Sequence, residues 1–449
     1  MTQTNRLTWV GWLTFVSLIL LVPSIGRADL GDILSKIQLY GIAEERYDSN
    51  VNLTPTNKLN DYITNVALGL RFSTLPRSET TGEFQLPSSA TIKEIIKQAN
   101  YGIYLDVLPG YAYYAKQTQQ NYFSLNGNLD TWYTWDRKLT FRVRDYVIRS
   151  EEPLEQNLSA GALPGQIYLN QTGTILGRPI YIRNVAQTSL EYRFGSEDLV
   201  SVNYLNNIYR NQSTLFEQST ENYINPVLNY WFNIRHGVSL EYALDLGHFQ
   251  HHPDMTGNLA IGRYTYRFNP STSIFGEYAF QSRIFEKPPV GVAVTFDDYD
   301  IHQPMIGFEH KFSRTLTLRA KVGYFWEIVQ GASNQTGPAY DVVITQHTQR
   351  TIYTLGAQGG YTEDYYTARN LGFAKYNQVV GMINHQLMEK LAVTVSARYQ
   401  RPKYLSGQVD NLWGVTTGVS YRILRWLTVG LDFSYAEDHS NIQTNNYTD

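Results

Sequence analysis

Apolar and polar residues alternate along most of the chain, in segments of roughly ten to fourteen residues. Clear cases are LTFRVRDYVIR from Leu139, TLTLRAKVGYFWEI from Thr315, LAVTVSARYQR from Leu391 and LWGVTTGVSYRIL from Leu412. A period of two predicts β-strands with one apolar and one polar face. Strands of soluble sandwiches are typically about five or six residues long, whereas a tilted bilayer crossing needs about nine to eleven. The pattern therefore predicts an all-β transmembrane barrel.

The connections between these segments alternate strictly between short and long. The short ones lie at 136–138, 195–198, 235–237, 269–272, 313–314, 389–390 and 424–425. The long polar ones lie at 150–179, 211–221, 286–299, 331–338, 364–371 and 403–409. Tight turns on the periplasmic side and longer loops outside are typical of outer-membrane barrels. We therefore expect antiparallel, up-and-down strands.

Aromatic residues are placed where two interfacial girdles are expected. The rings near the tight turns are Tyr133, Trp135, Trp231, Phe268, Phe312 and Trp426, and those near the long loops are Tyr209, Phe249, Phe285, Trp326 and Tyr361. The count of segments predicts 18 to 20 strands, 19 of them recognisable, within one domain covering residues 29–449. A barrel of this width leaves an aqueous lumen unless something fills it.

The first 28 residues carry the features of a cleaved secretory signal. Arg6 precedes an apolar run from Leu7 to Val22, and Gly26-Arg27-Ala28 supplies small residues for a signal peptidase. The alternative is an N-terminal membrane anchor, for which the run is marginally short. Cleavage would shift the formal net charge from −3 to −5, because it removes Arg6 and Arg27.

Composition narrows the function further. The chain has no cysteine, so disulfides and thiolate metal sites are excluded. Its net charge is near neutral and its basic residues form no stripe, so the sequence does not favour binding of nucleic acid. Tyrosine supplies 35 of the 449 residues, in keeping with β-structure at boundaries between apolar and wet surroundings.

Two connections depart from the regular pattern. Residues 77–100 lie on the tight-turn side, and within them Thr91 and Glu94 form a capping box that predicts a short amphipathic periplasmic helix. This helix would pack against the barrel mouth, plug it or dock a periplasmic partner. The external loop 150–179 would either fold inward as a constriction or extend into solvent.

The polar face of the strands supplies the candidate site. Its lumen-facing candidates are Arg142, Arg144, Arg183, Arg193, Glu191, Glu241, Asp245, Arg263, Arg267, Glu277, Glu309, Arg319, Lys321, Arg398 and Asp432. These residues either only solvate and cross-pair inside a wide barrel or line a conduit for a hydrophilic solute.

Metal binding and catalysis have little support in the sequence. His248, His251 and His252 lie close together at a loop and are a weak candidate for a transition-metal site, with Asp254 as the nearest carboxylate. There is no nucleophile elbow or other catalytic signature. We therefore expect neither a cofactor nor an enzyme.

Three segments resemble the putative β-barrel porin 2 family. YDSNVNLTPTNKLNDYITNVALGLRFS at 47–73 is similar to its opening hairpin, and residues 105–145 and 415–441 are similar to later hairpins. The resemblance covers nearly the whole mature chain, apart from the insert at 77–100 and the C-terminus. It implies a barrel in the outer membrane of a Gram-negative bacterium, among components associated with exopolysaccharide synthesis and export.

The sequence thus leaves three hypotheses open. The first is an outer-membrane porin-like channel that contacts lipid and passes a hydrophilic solute or polysaccharide, as part of an exopolysaccharide export system. The second is a scaffold barrel that encloses or docks a periplasmic or electron-transfer partner, and the third is an outer-membrane hydrolase.

The C-terminal segment carries a prediction of its own. The strand from Leu427 to Tyr435 would end outside the cell, whereas single-chain bacterial barrels have even strand numbers. We therefore expect a barrel of about 20 strands that lacks its closing strand. Strands 1 and 19 would then meet at an open or strained parallel seam.

Overall fold

A computed structural model describes residues 34–74, 100–151, 179–213, 216–286, 296–331, 333–366, 369–424 and 426–448. The signal peptide, the helix expected within 77–100 and nearly all of the loop 150–179 lie outside these ranges. Over the described residues, no helix is long and apolar enough to cross a membrane.

The described chain is built from antiparallel β-strands, as the alternation predicted. Nineteen of them contain 12 to 17 residues and the last contains two. The strands are β1 Ile37–Asp48, β2 Asp61–Ser73, β3 Tyr101–Tyr114, β4 Tyr122–Trp135, β5 Leu139–Ser150, β6 Tyr181–Arg193, β7 Leu199–Asn211, β8 Ser219–Trp231, β9 His236–Phe249, β10 Met255–Asn269, β11 Thr272–Phe285, β12 Tyr299–Lys311, β13 Leu316–Val329, β14 Gln335–His347, β15 Thr351–Asp364, β16 Gly372–Met388, β17 Leu391–Tyr404, β18 Asp410–Leu424, β19 Leu427–Ser440 and β20 Tyr447–Thr448.

Each strand pairs with the next one in the sequence, so the predicted up-and-down topology is confirmed. All tight turns lie at one end of the sheet, here called the tight-turn end, and the opposite end is called the long-loop end. The turn between β4 and β5 shows how the sequence fixes such a connection: Asp136 and Arg137 adopt φ of 48° and 54°, and Lys138 N–H donates to the Trp135 carbonyl at 3.0 Å. Two residues at positive φ give the twist that favours a hairpin. The tight turn at 348–350, between β14 and β15, was missing from the sequence-based set.

The two faces of the sheet differ in character. On β9, Leu240 and Tyr242 point outward and are 50% and 45% exposed, whereas Ala243 and Asp245 point inward and are buried. Apolar side chains exposed along the outer face of every long strand suit contact with lipid. The inner face carries charges and amides.

The girdle predictions are only partly correct. Near the tight turns, Tyr133, Trp135, Phe268, Phe312 and Trp426 are exposed, as expected. Trp231 instead lies an even number of residues from Tyr223 and Asn225 on β8, so it points inward as they do, and it packs against the Arg267 guanidinium.

At the long-loop end, only Trp326 of the five predicted girdle rings is exposed outward. The other four rings, Tyr209, Phe249, Phe285 and Tyr361, pack on the inner face. Different outward rings occupy this rim, namely Tyr47, Tyr62, Tyr113, Phe123 and Trp413. These four rings lie near loops, but the alternation along their strands points them inward, and the alternation rather than the distance to a loop decides the face.

The sheet is not closed over the described residues. There β1 pairs only with β2, and β19 pairs with β18 and, at Asp438 and Glu437, with the short β20. The seam expected between β1 and β19 is therefore open. At the long-loop end, the Thr448 carbonyl accepts hydrogen bonds from Asn50 Nδ2 at 3.1 Å and Lys58 Nζ at 3.2 Å.

Candidate functional site

All fifteen polar residues singled out from the sequence lie on the inner face, as judged by their positions in the alternation of each strand. Several of them also contact other residues of that face. Near β4 and β5, the Arg142 Nε donates to Asp130 at 2.8 Å, and Asp130 is only 3% exposed. Register places Asp432 opposite Gly418, and Gly418 opposite Thr394, on the same face as Arg398. The set forms a continuous polar surface, which the curvature of the sheet turns toward its interior.

A charge network at mid-height joins β10, β11 and β13. Glu277 accepts from Arg263 Nε at 2.8 Å and from Lys321 Nζ at 3.1 Å. Phe275 packs against the Arg263 guanidinium, 4.4 Å from the ring centre. A buried carboxylate is energetically costly unless it is paired. The two cations beside Glu277 offset this cost on the inner face.

A second network lies on β1 to β3. Asp106 accepts from Arg71 Nη2 at 2.7 Å, from the Tyr40 hydroxyl at 2.6 Å and from the Tyr104 hydroxyl at 3.2 Å. Neither Arg71 nor Asp106 was among the residues chosen from the sequence. Charged and phenolic groups thus line the inner face on β1 to β3, as charged groups do on β10 to β13.

At the tight-turn end, Arg267 reaches across to Glu197 in the turn between β6 and β7. The two Nη–Oε distances are 3.0 and 2.8 Å, and the guanidinium lies 4.0 Å from the Trp231 ring centre. The hydrogen bonds from Arg267 hold the pKa of Glu197 below its usual value. A cavity of about 1080 Å³ opens beside this pair, with Glu309 and Arg319 also in its wall.

Near the long-loop end, three charged residues form the densest part of the inner face. Arg283 on β11 donates to Glu363 on β15, with Nη2 2.6 Å from Oε2, and its Nη1 lies 3.3 Å from Asp245 Oδ2 on β9. Their side chains are 11%, 14% and 7% exposed. Strands that are not neighbours in the sheet are thereby tied together across the interior.

Three tyrosines complete this group. Tyr299 donates to Glu363 and shares a 2.8 Å contact with the Tyr365 hydroxyl, while Tyr366 donates to Asp245 at 2.6 Å. Tyr365 and Tyr366 follow β15 in the connection to β16. Burial, followed by the nearby carboxylates, raises the pKa of both loop phenols, which keeps them protonated as donors. We call Asp245, Arg283, Tyr299, Glu363, Tyr365 and Tyr366 the mouth cluster.

Apolar rings surround the mouth cluster on the same face. Phe285, Phe325 and Phe373 are 7%, 1% and 2% exposed and belong to one buried cluster with Tyr299 and Tyr365. Such packing excludes water from the charges and strengthens their attraction. Buried rings thus surround a charged centre on the inner face at the long-loop end.

The three loop histidines do not gather into a metal site. His248 Nδ1 contacts Asp254 at 2.5 Å, whereas His252 pairs with Glu217 from the preceding loop. Over the described ranges, no group of three potential metal ligands occurs. The backbone N–H groups of Gln250 and His251 also donate to Glu217, at 2.6 and 3.0 Å.

Glu217 therefore ties together two loops at the long-loop end. Burial opposes its ionisation, but hydrogen bonds from His252 and from these backbone groups outweigh that cost and lower its pKa. The sequence pointed to the histidines and missed Glu217, the carboxylate that His251 and His252 contact.

Several residues of the mouth cluster could have been found from the alternation. Arg283 has the same inward parity on β11 as Glu277, and Glu363 the same parity on β15 as Tyr361. Their mutual contact has no signal in the sequence, because it depends on the curvature of strands β11 to β15.

Comparisons with solved structures give distant similarities. The ferric-catecholate import receptor Fiu of Escherichia coli K12 is 10% identical, with 92% of this chain and 75% of that chain covered and a TM-score of 0.49. The siderophore receptor PiuA of Acinetobacter baumannii is 9% identical, with coverages of 91% and 79% and a TM-score of 0.42. For OprD of Pseudomonas aeruginosa the identity is 7%, the coverages are 90% and 96%, and the TM-score is 0.39. At this distance the similarities carry no functional conclusion.

No curated protein sequence matches the chain. The model of one protein family does match, over residues 250–449, and its description is "Putative beta-barrel porin 2". The resemblance stated from the sequence is thereby confirmed for this C-terminal part of the chain, which matches the putative beta-barrel porin 2 family.

Proposed function

We propose that the protein is an outer-membrane channel for a hydrophilic solute and that the mouth cluster is its constriction. The main support is the division of the sheet into an apolar outer face and a charged inner face, with the inner charges tied across the interior at Arg283 and Glu363. A lipid-facing surface around a polar interior is the physical requirement for passing a polar solute through a bilayer.

The solute we propose is a polysaccharide or its oligosaccharide units, within an exopolysaccharide export system. The family resemblance supports this, and so does the chemistry of the inner face. Sugar rings present apolar C–H faces that pack on aromatic rings, and hydroxyl groups that bond to carboxylates and amides. Phenols, amides and carboxylates alternate along the inner face, from Asp106 and Tyr104 to Glu241 and Asn225.

Solute entry into proteoliposomes tests the channel. Liposomes containing the purified protein should swell in isotonic solutions of mono- and oligosaccharides, with a rate that falls as the sugar becomes larger. Protein-free liposomes and liposomes with an eight-stranded barrel, whose interior is filled by side chains, are the controls. Swelling rates equal to these controls for every sugar would contradict the channel.

A scaffold that encloses or docks a periplasmic or electron-transfer partner is the second candidate. If this candidate is correct, protein from native membranes will co-purify with a second polypeptide, and solute entry will appear only after that polypeptide is removed.

A further inference from the structure

Three histidines lie on the outer face of the sheet at its tight-turn end. His236 begins β9, His310 is the penultimate residue of β12, and His385 on β16 lies opposite Thr351, the first residue of β15. Each histidine is an even number of residues from an exposed apolar side chain of its own strand, namely Leu240, Ile306 and Val379. The three imidazoles therefore follow the edge of the apolar outer surface.

Each imidazole contacts a hydroxyl group of the neighbouring strand through its Nδ1 atom. The Nδ1–oxygen distances are 2.5 Å for His236 and Tyr264, 2.9 Å for His310 and Thr272, and 2.7 Å for His385 and Thr351. Within the part of the chain that the structure describes, the Nε2 atoms of these rings have no hydrogen-bond partner. A hydroxyl that donates to Nδ1 leaves the proton of a neutral imidazole on Nε2. The same arrangement thus occurs three times, with one ring nitrogen fixed and the other open to a ligand.

Aromatic rings beside two of the histidines indicate the depth at which they lie. The centre of the His236 ring is 5.1 Å from that of Tyr266. His310 stacks on Phe308, with 5.8 Å between the ring centres, and meets Phe312 edge-on at 4.4 Å. Girdles of aromatic residues mark the interfaces between the bilayer and water in transmembrane barrels. The imidazoles are therefore at the level of the lipid headgroups.

The tight turns next to these histidines carry an excess of positive charge. Arg235 directly precedes His236, and Arg350 directly precedes Thr351, the partner of His385. From β8 to β17 the tight turns contain the exposed basic residues Arg235, Arg314, Arg350 and Lys390 and the acidic residue Glu389. Basic residues close to a membrane surface attract anionic lipid headgroups. The charge at this end of the sheet therefore suits a phosphate group.

We propose that His236, His310 and His385 each bind the phosphate group of a membrane phospholipid. The hydroxyl of the neighbouring strand orients the ring by donating to Nδ1, and the Nε2–H group donates to a phosphate oxygen. The acyl chains of the same lipid pack on the apolar surface that continues along the strand, from Phe308 to Ile306 on β12. This continuous apolar surface favours a phospholipid over a free phosphate ion. The inference does not depend on the proposed transport function.

Solid-state NMR tests the contact directly, because the dipolar coupling between ¹⁵N and ³¹P is detectable only over a short distance. The full chain, labelled with ¹⁵N-histidine, is placed in bilayers of phosphatidylethanolamine and phosphatidylglycerol, and single His→Gln variants assign the signals. The Nε2 signals of His236, His310 and His385 should lose intensity when the coupling to phosphorus is reintroduced. The matched control is His347, which lies at the same end of the sheet but on the inner face, eight residues from the buried Ala339. Its signals should be unaffected.

Two further samples test the source of the phosphate and the role of the hydroxyl. In bilayers of digalactosyldiacylglycerol, which has no phosphate, with inorganic phosphate added, the intensity loss should disappear. In Thr272→Val, which keeps the shape of the side chain, the loss at His310 should fall at least about twofold, because the hydroxyl no longer fixes the ring. The loss at His236 should not change in this variant.

Three results would overturn the proposal. The first is an intensity loss at the three histidines no greater than that at His347. The second is a loss that persists with inorganic phosphate in the phosphate-free bilayer, which would show that a free ion occupies the sites. The third is an undiminished loss at His310 in Thr272→Val, which would show that the hydroxyl does not orient the ring.

Discussion

Arg283 and Glu363 are in contact across the interior, with 2.6 Å between Nη2 and Oε2, although β12, β13 and β14 lie between their strands. Neighbouring strands are about 4.8 Å apart, so four steps along a flat sheet would place them roughly 19 Å apart. The sheet is therefore strongly curved between β11 and β15. Inner-face charges on distant strands thus meet at the proposed constriction because the sheet curves there.

Loss of the central cation of the mouth cluster should destabilise the fold. In Arg283→Gln, Asp245 and Glu363 remain buried without their common partner, which typically costs about 3 to 5 kcal/mol. Chemical unfolding of the detergent-solubilised protein, followed by tryptophan fluorescence, measures this loss. Arg267→Gln is the control, because Arg267 and Glu197 are 28% and 49% exposed and an exposed pair contributes at most about 1 kcal/mol. Equal losses in the two variants would refute the buried role of Arg283.

Neutralising Glu327 should have the opposite effect. This residue on β13 is fully buried, and neither carboxylate oxygen has a hydrogen-bond partner among the described residues. Glu327→Gln keeps the shape and removes a buried charge that has no hydrogen-bond partner among the described residues, so the free energy of unfolding should rise by about 1 kcal/mol or more. The same unfolding assay applies, with Glu309→Gln at the tight-turn cavity as a near-neutral control. A clear loss of stability in Glu327→Gln would show that the carboxylate has a partner.

The tie that Glu217 forms between two loops at the long-loop end should weaken in acid. The pKa of Glu217 is lowered from the ordinary value of 4.5, so the stability it contributes is fully present above that value. The contribution is lost as the pH falls through the lowered pKa. Amide hydrogen exchange of Gln250 and His251, corrected for intrinsic rates, should show protection at pH 6 that decreases below about pH 4.5. In Glu217→Gln the protection should be low and independent of pH, and an unchanged profile would contradict the tie.

Packing between strands gives a prediction that is independent of charge. Gly102 on β3 lies directly opposite Trp132 on β4, and a Cβ at Gly102 would overlap the indole ring, which is 2% exposed. Gly102→Ala should therefore destabilise the protein by about 1 to 3 kcal/mol, as overpacking does. Gly276→Ala is the matched control, since no atom lies within 4 Å of its Cβ position. Equal midpoints of unfolding for the two variants would show that the Trp132 ring can move aside.

The sequence predicted the strands and their order well, because the alternation that places each residue on the inner or outer face can be read from a few neighbouring residues. The alternation from Leu139 and from Leu391 corresponds to β5 and β17, and both begin at those residues. The same alternation determines that Tyr209 and Phe249 point inward, although both lie next to loops. The contacts of Arg283 with Glu363 and of Glu217 with His252 join residues that are 80 and 35 positions apart. Such contacts follow from curvature and loop packing, which no periodicity records.

The central claim is that the inner face is a conduit narrowed by the mouth cluster, and single-channel conductance in planar bilayers tests it most directly. Tyr366→Ala removes a ring and its hydrogen bond to Asp245, so the variant should conduct clearly more than the wild-type protein. Tyr278→Ala, on the outer face of β11, should leave the conductance unchanged. Equal conductance in wild type and Tyr366→Ala, or no conductance in either, would contradict the account.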